Sequence, residues 1–283
     1  MNWKGFLSRI GLISIAFPLL VVLIFLLPGL THLAFNIAII AITIIGAFET
    51  EALMRARGIP SSRWFAPLFA GVLPALTYLE AAGMLPPEGL PLGTAAVFAV
   101  VLVRSIVFQR TATLPDLLSF VSSSFFVLLY PAFFLSFVVR LSSLPSASIL
   151  IAFFLSLVFG NDMAAYFAGS LWGGSTRLGL PVSPQKSIVG FAAGLAGSLI
   201  AVLLYHFLAP DQLPFSFPSR LAMGLAVGVL VIVGDLVESG LKRSAGVKDS
   251  GIAIPGRGGV LDSVDSMLLS APLFYYILSM GSR

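Results

Sequence analysis

Near the end of the chain, the stretch Lys248-Asp-Ser-Gly-Ile-Ala-Ile-Pro-Gly-Arg-Gly-Gly-Val-Leu-Asp-Ser-Val-Asp265 gathers acids, cations and glycines. Gly256, Gly258 and Gly259 permit backbone conformations closed to other residues and let main-chain N–H groups approach an anion. Asp262 and Asp265 stand three apart at the start of an apolar run, so on a helix they project to one side. One acid suffices to cap a helix. A pair beside Lys248 and Arg257 suits a magnesium–polyphosphate complex, with Asp oxygens on the hard cation and Lys, Arg and backbone amides on the phosphates. The pattern matches neither a P-loop nor a dinucleotide-binding turn.

Two more segments carry ionisable groups where they are costly. In LAVGVLVIVGDLVESGLKR, Asp235 and Glu238 lie at i and i+3, with Lys242 four residues further on. These three share a helix face, and Glu238 and Lys242 have the spacing of an internal salt bridge. In LSLVFGNDMAAYFAGSLWG, Asn161 and Asp162 follow a long apolar run. Charges inside a membrane span cost a few kcal/mol each and usually face a polar cavity. The segment Leu180-Pro-Val-Ser-Pro-Gln-Lys-Ser187 reads as a rigid turn presenting the Ser183 hydroxyl and the Lys186 cation. Before residue 150 the acids Glu49, Glu51, Glu80, Glu88 and Asp116 fall near span ends or in loops, where solvation is the expected state.

The elements that hold these groups follow from composition. The chain is 58% hydrophobic and 10% charged, with mean hydropathy +1.03. A soluble fold cannot hide so much apolar surface. Continuous apolar runs, rather than alternation in short segments, predict an all-α polytopic membrane protein with about nine transmembrane helices. The spans are expected near residues 10–29, 32–52, 64–82, 90–109, 117–139, 146–170, 187–208, 218–239 and 264–281. The first run is too long for a removable signal peptide. With the N-terminus cytoplasmic, every Lys and Arg except Arg140, Arg220 and Arg283 falls inside, as the positive-inside rule demands. These chemical segments then all lie on the cytoplasmic side. His32 and His206 lie toward the outer ends of their spans, which assigns them to the interface rather than to chemistry. The chain holds no cysteine, so disulfides, thiolate nucleophiles and Cys-based metal centres are excluded. The net charge of +4 is read as cationic loops beside anionic lipid, not as nucleic-acid binding. Plain apolar spans make residues 1–145 a scaffold region with lipid or dimer contacts, and 146–283 the region carrying the site.

Ser239-Gly-Leu-Lys-Arg-Ser-Ala-Gly-Val-Lys-Asp249, followed by Ile254-Pro-Gly-Arg-Gly-Gly-Val-Leu-Asp-Ser-Val-Asp265, resembles the C-terminal signature of phosphatidate cytidylyltransferases. That pattern runs S-x-x-K-R, four residues, K-D, then P-G-H-G-G-x-x-D-R-x-D. Asn161-Asp162-Met163-Ala164-Ala165-Tyr166-x-x-Gly169 and the Leu180–Ser187 loop resemble two further segments of that family, N-D-x-x-A-Y-x-x-G and S-P-K-K-[ST]. The likeness spans roughly residues 155–270. Arg257 stands where the family usually has His, Ser263 replaces an Arg, Val189 replaces a Glu, and Ser170 takes a position where a basic residue is common. The His-to-Arg change keeps a phosphate-binding cation but removes a group that titrates near neutral pH.

The resemblance implies a transfer of a cytidylyl group from CTP to phosphatidic acid, giving CDP-diacylglycerol and pyrophosphate. It implies Asp235, Asp262 and Asp265 as ligands of Mg2+ or another divalent cation, with Asp162 and Asp249 supporting or ligating. Lys186, Lys242, Arg243, Lys248 and Arg257, with the turn at Gly258 and Gly259, would hold the CTP and lipid phosphates, and Ser183 would contact phosphate or nucleotide. It also implies a bacterial inner-membrane location, a cytoplasm-facing site and a homodimer; Ala192, Ala193, Gly194, Ala196 and Gly197 permit close helix contact within or between subunits. Two alternatives use similar residues: a CTP-dependent lipid kinase of the dolichol- or phytol-kinase kind, and a transporter. A through-path would carry polar residues to the outer face, whereas here they stop on one side. The clustered D-G-x-x-A-R block of CDP-alcohol phosphotransferases is absent.

Overall fold

The computed structural model describes residues 14–86, 88–107, 116–213, 215–254, 256 and 258–281. The backbone N–H and C=O groups of an apolar run have no water to bond within lipid, so they pair along helices. The apolar segments accordingly form α1 (Ser14–Leu26), α2 (Gly29–Ala56), α3 (Phe65–Ala81), α4 (Gly89–Val107) and α5 (Leu117–Arg140). After these come α6 (Ala147–Trp172), α7 (Ile188–Leu208), α8 (Phe217–Ser244) and α9 (Leu261–Gly281). Among the described residues there is no strand, only isolated β-bridges in loops.

Seven of these helices, α2 and α4 to α9, are long and apolar enough to cross a membrane among the described residues. The chain is therefore an all-helical integral membrane protein. The described part of α1 falls within one expected span, and α3 coincides with another and is interrupted at Gly71. Lys4, Arg9, Arg110 and Arg283, on which the charge-derived orientation partly rests, lie outside the described residues.

The helices gather into two compact units. The first takes the described residues up to Ser143 together with Ser244–Ser263. Its core is built on small side chains, Ala47, Ala66, Ala70 and Ala132, all fully buried, with Leu73 and Val127 filling between them. Small residues let helix backbones approach where no hydrophobic force drives association in lipid. The glycine-rich segment thus packs with the N-terminal helices rather than with the chain around it.

The second unit takes Leu144–Arg243 and the chain from Val264 onward. Here α6 and α7 cross at Gly160 and Gly197, and Gly194 leaves room for the Asn161 side chain. Asn161, 1% exposed, donates to Ser198 Oγ at 3.0 Å and to the Gly228 carbonyl at 3.2 Å, tying α6, α7 and α8 together. Arg220, also buried, donates to the carbonyls of Pro210, Leu213 and Phe215 and contacts His206 Nδ1, organising the turn between α7 and α8.

Candidate active site

In the second unit, the last turns of α8 present Asp235, Glu238, Ser239 and Lys242. The loop before α7 is tightly made. Ser183 N donates to Leu180 O at 3.0 Å, Lys186 N to Ser183 O at 3.2 Å, and Leu178 N to Lys186 O at 2.9 Å. This turn delivers Lys186 Nζ onto Asp235 Oδ2 as an ion pair. Ser239 Oγ donates to the other carboxylate oxygen of Asp235 at 3.4 Å. Glu238 is fully buried and ion-paired with Lys242 one turn on, so the spacing seen in sequence is realised as a bridge.

Gly234 explains how α9 comes close. A Cβ there would stand 2.7 Å from the Asp265 carbonyl oxygen, a backbone atom that cannot swing aside. Asp265, 6% exposed, accepts from Ser266 N at 2.6 Å and Ser266 Oγ at 3.2 Å. The same hydroxyl lies 3.2 Å from Asp162 Oδ1, so one O–H stands between two carboxylates. Asp265 is within electrostatic reach of Asp235, Asp162 and Lys242. Like charges in a low-dielectric interior repel unless cations compensate. Within this unit the fold therefore brings Asp162, Asp235 and Asp265 together with Lys186 and Lys242. Ser183 is half-buried in the turn beside Lys186, and Arg243 is exposed.

These donors suit a hard divalent cation, which takes oxygen ligands. Among the described residues no three His, Cys, Asp or Glu side chains converge as a ready-made site. A partial set is what magnesium commonly uses, with one or two carboxylates and the remaining positions filled by substrate phosphates and water. The residues present fit that use.

In the first unit, the glycine-rich segment folds around two carboxylates. Asp262 Oδ2 accepts from Ser250 N at 2.9 Å, Ser250 Oγ at 2.9 Å and Gly259 N at 2.6 Å. Gly258, at φ +112°, exchanges hydrogen bonds with Ile254, 3.0 Å from its N–H and 2.8 Å to its carbonyl. That left-handed backbone explains one of the glycines. The N–H groups of Gly258 and Gly259, expected to face an anion, are thus engaged within the loop. Lys248 and Asp249 are exposed. Arg257 lies outside the described residues.

The second carboxylate is Glu49 of α2, which sequence reasoning placed among the solvated acids. It is 8% exposed, and its two oxygens accept from Val260 N at 2.9 Å and Leu261 N at 2.7 Å. Ser250 Oγ lies 3.1 Å from Glu49 Oε2 as well. Glu51 is also buried, held by Ser61 Oγ and Arg55. Two acids inside an otherwise apolar helix were themselves the signal, since that placement is expensive without partners.

Over residues 7–280 the chain matches the profile of a family described as the cytidylyltransferase family. It is similar to the phosphatidate cytidylyltransferase of Bacillus subtilis (strain 168), 30% identical over 88% of this chain and 90% of that protein. It is similar to the phosphatidate cytidylyltransferase of Thermotoga maritima, 32% identical over 84% of each chain. A third similarity, to the Synechocystis phosphatidate cytidylyltransferase, is stronger but shorter: 39% identity over 47% of this chain and 44% of that one. That match and the one to the Escherichia coli protein YnbB, which covers 53% of it, span about half the length of those relatives.

Proposed function

Because the chain belongs to the cytidylyltransferase family, which makes it a membrane-embedded transferase, we propose that it transfers the cytidylyl group of CTP to phosphatidic acid. CDP-diacylglycerol and pyrophosphate are the products. The observation that carries this reading is the cluster of Asp162, Asp235 and Asp265 with Lys186 and Lys242 in a helical membrane unit. A lipid phosphate is already anionic, so no strong general base is needed. Its oxygen attacks the α-phosphorus of CTP, and the bond from that phosphorus to the bridging oxygen breaks, its electron pair leaving with pyrophosphate. The barrier is repulsion between anions and charge growing on the leaving group.

Asp235 and Asp265, with Asp162 beside them, would hold the divalent cation; Asp262, three residues before Asp265 on α9, belongs to the proposed set by its place in the signature. When bound, Mg2+ screens the phosphate charges and stabilises the leaving pyrophosphate. Lys186 stays oriented by Asp235 and meets the phosphates as a fixed cation. Lys242, Arg243, Lys248 and Arg257 supply further positive charge, with Asp249, Ser183 and the turn at Gly258 and Gly259 completing the assignment. The membrane is a bacterial inner membrane with the site facing the cytoplasm, where a water-soluble nucleotide meets a two-chain lipid. A homodimer belongs to the same proposal.

The test is purified protein with phosphatidic acid, labelled CTP and magnesium, with and without chelator. Pyrophosphate and a labelled lipid should appear together, and chelator should stop both. CDP as the soluble product would replace this reading with a lipid kinase. Asp262→Asn should abolish turnover while leaving a folded, extractable protein; full activity would remove Asp262 from the site.

A further inference from the structure

Glu49 is buried in an apolar helix far from the glycine-rich segment in sequence, yet the loop is built onto it. Its two oxygens take two successive amides, Val260 N and Leu261 N, at the very start of α9. They thereby satisfy two of the helix's orphan donors and set a negative charge on its positive end. Ser250 Oγ lies 3.1 Å from Glu49 and 2.9 Å from Asp262, so the hydroxyl couples the two carboxylates. Space is tight around it. A Cβ at Gly251 or at Gly259 would each stand 2.5 Å from a Glu49 oxygen. The glycines at these positions therefore make room for Glu49.

We propose that Glu49 is a positioning residue for the transfer reaction: it sets the rotation of the first turn of α9 and, through Ser250, the orientation of the Asp262 carboxylate. The inference rests on the proposed transferase reading for its kinetic arm alone. A carboxylate suits the site because its two oxygens take the two N–H donors separately, Val260 N on Oε1 and Leu261 N on Oε2. Glutamine offers one acceptor, and its amide nitrogen would face an N–H. Aspartate keeps both acceptors on a shorter stem.

The experiment compares wild type, Glu49→Gln, Glu49→Asp, Ser250→Ala and the control Glu51→Gln in purified, detergent-solubilised full-length protein. Amide hydrogen exchange over residues 245–262 is the readout independent of activity. Glu49→Gln should speed exchange there at least tenfold, leave α6 and α7 unchanged, and keep the chain folded. In the assay with CTP, phosphatidic acid and magnesium, kcat should fall at least tenfold with KM for CTP changed less than threefold. Glu49→Asp should recover part of that loss, Ser250→Ala should show a smaller one, and Glu51→Gln should exchange and turn over like wild type. Unchanged exchange in Glu49→Gln, or a Glu51→Gln variant equally impaired in kcat, overturns the proposal. If wild type transfers nothing from CTP, the transferase reading fails by itself and the exchange comparison still decides the role of Glu49.

Discussion

Lys186 and Lys242 are both cations on carboxylates, but their surroundings differ. Lys186 and Asp235 each keep about a quarter of their side chain exposed, so the pair can open toward a ligand. Lys242 serves Glu238, which has no exposure at all. Removing one partner of a buried pair costs about 3–5 kcal/mol because the other charge is stranded. Lys242→Met should therefore lower the thermal unfolding temperature in detergent as well as activity, and adding Glu238→Gln should restore the first but not the second. Lys186→Met, by contrast, should leave the unfolding temperature within a few degrees of wild type. Its KM for CTP should rise on the order of tenfold, as the loss of about 1.4 kcal/mol of phosphate attraction implies. Sequence spacing exposed the Glu238–Lys242 bridge. It did not expose the Lys186–Asp235 pair, because 49 residues separate those partners.

At the scale of elements, the site depends on how closely helices approach. Gly234 lets the α9 backbone sit against α8, and a side chain there would meet Asp265 O at 2.7 Å and Ser266 Cα at 3.4 Å. Overpacking of this sort costs about 1–3 kcal/mol. Gly234→Val should lower thermal stability by that order and, by moving Asp265 away from Asp235, reduce turnover more than stability; steady-state kinetics beside a melting curve measures both. Asn161 works in the same way on the other flank. Its motif neighbour Asp162 carries charge, whereas Asn161 is consumed in holding Ser198 and Gly228. Adjacent residues of one motif thus turn to different partners, Asn161 to Ser198 and Gly228 and Asp162 to Ser266, and only the packing of the helices around them distinguishes the two.

For the whole molecule, the proposed orientation is open to a direct measurement because the chain is free of cysteine. Ile252, 98% exposed in the glycine-rich segment, can be replaced by Cys without touching the proposed ligands. A membrane-impermeant maleimide should label that single thiol in inside-out vesicles and not in intact cells stripped of their outer membrane. Labelling from the outer face would reverse the topology drawn from Lys and Arg.

The amino-acid order alone determined the membrane-spanning helical class, the approximate limits of most helices and the likeness to the cytidylyltransferase family. Hydropathy and charge are properties of a residue and its near neighbours, so they survive in one dimension. The tertiary structure alone decided which acids are partners of what. Glu49 reaches amides 211 and 212 residues away, and the glycine amides expected to greet an anion turn inward to Asp262 and Ile254. A buried carboxylate satisfies its oxygens with whatever donors the packed helices bring to it, and that choice is made by three-dimensional approach rather than by spacing along the chain.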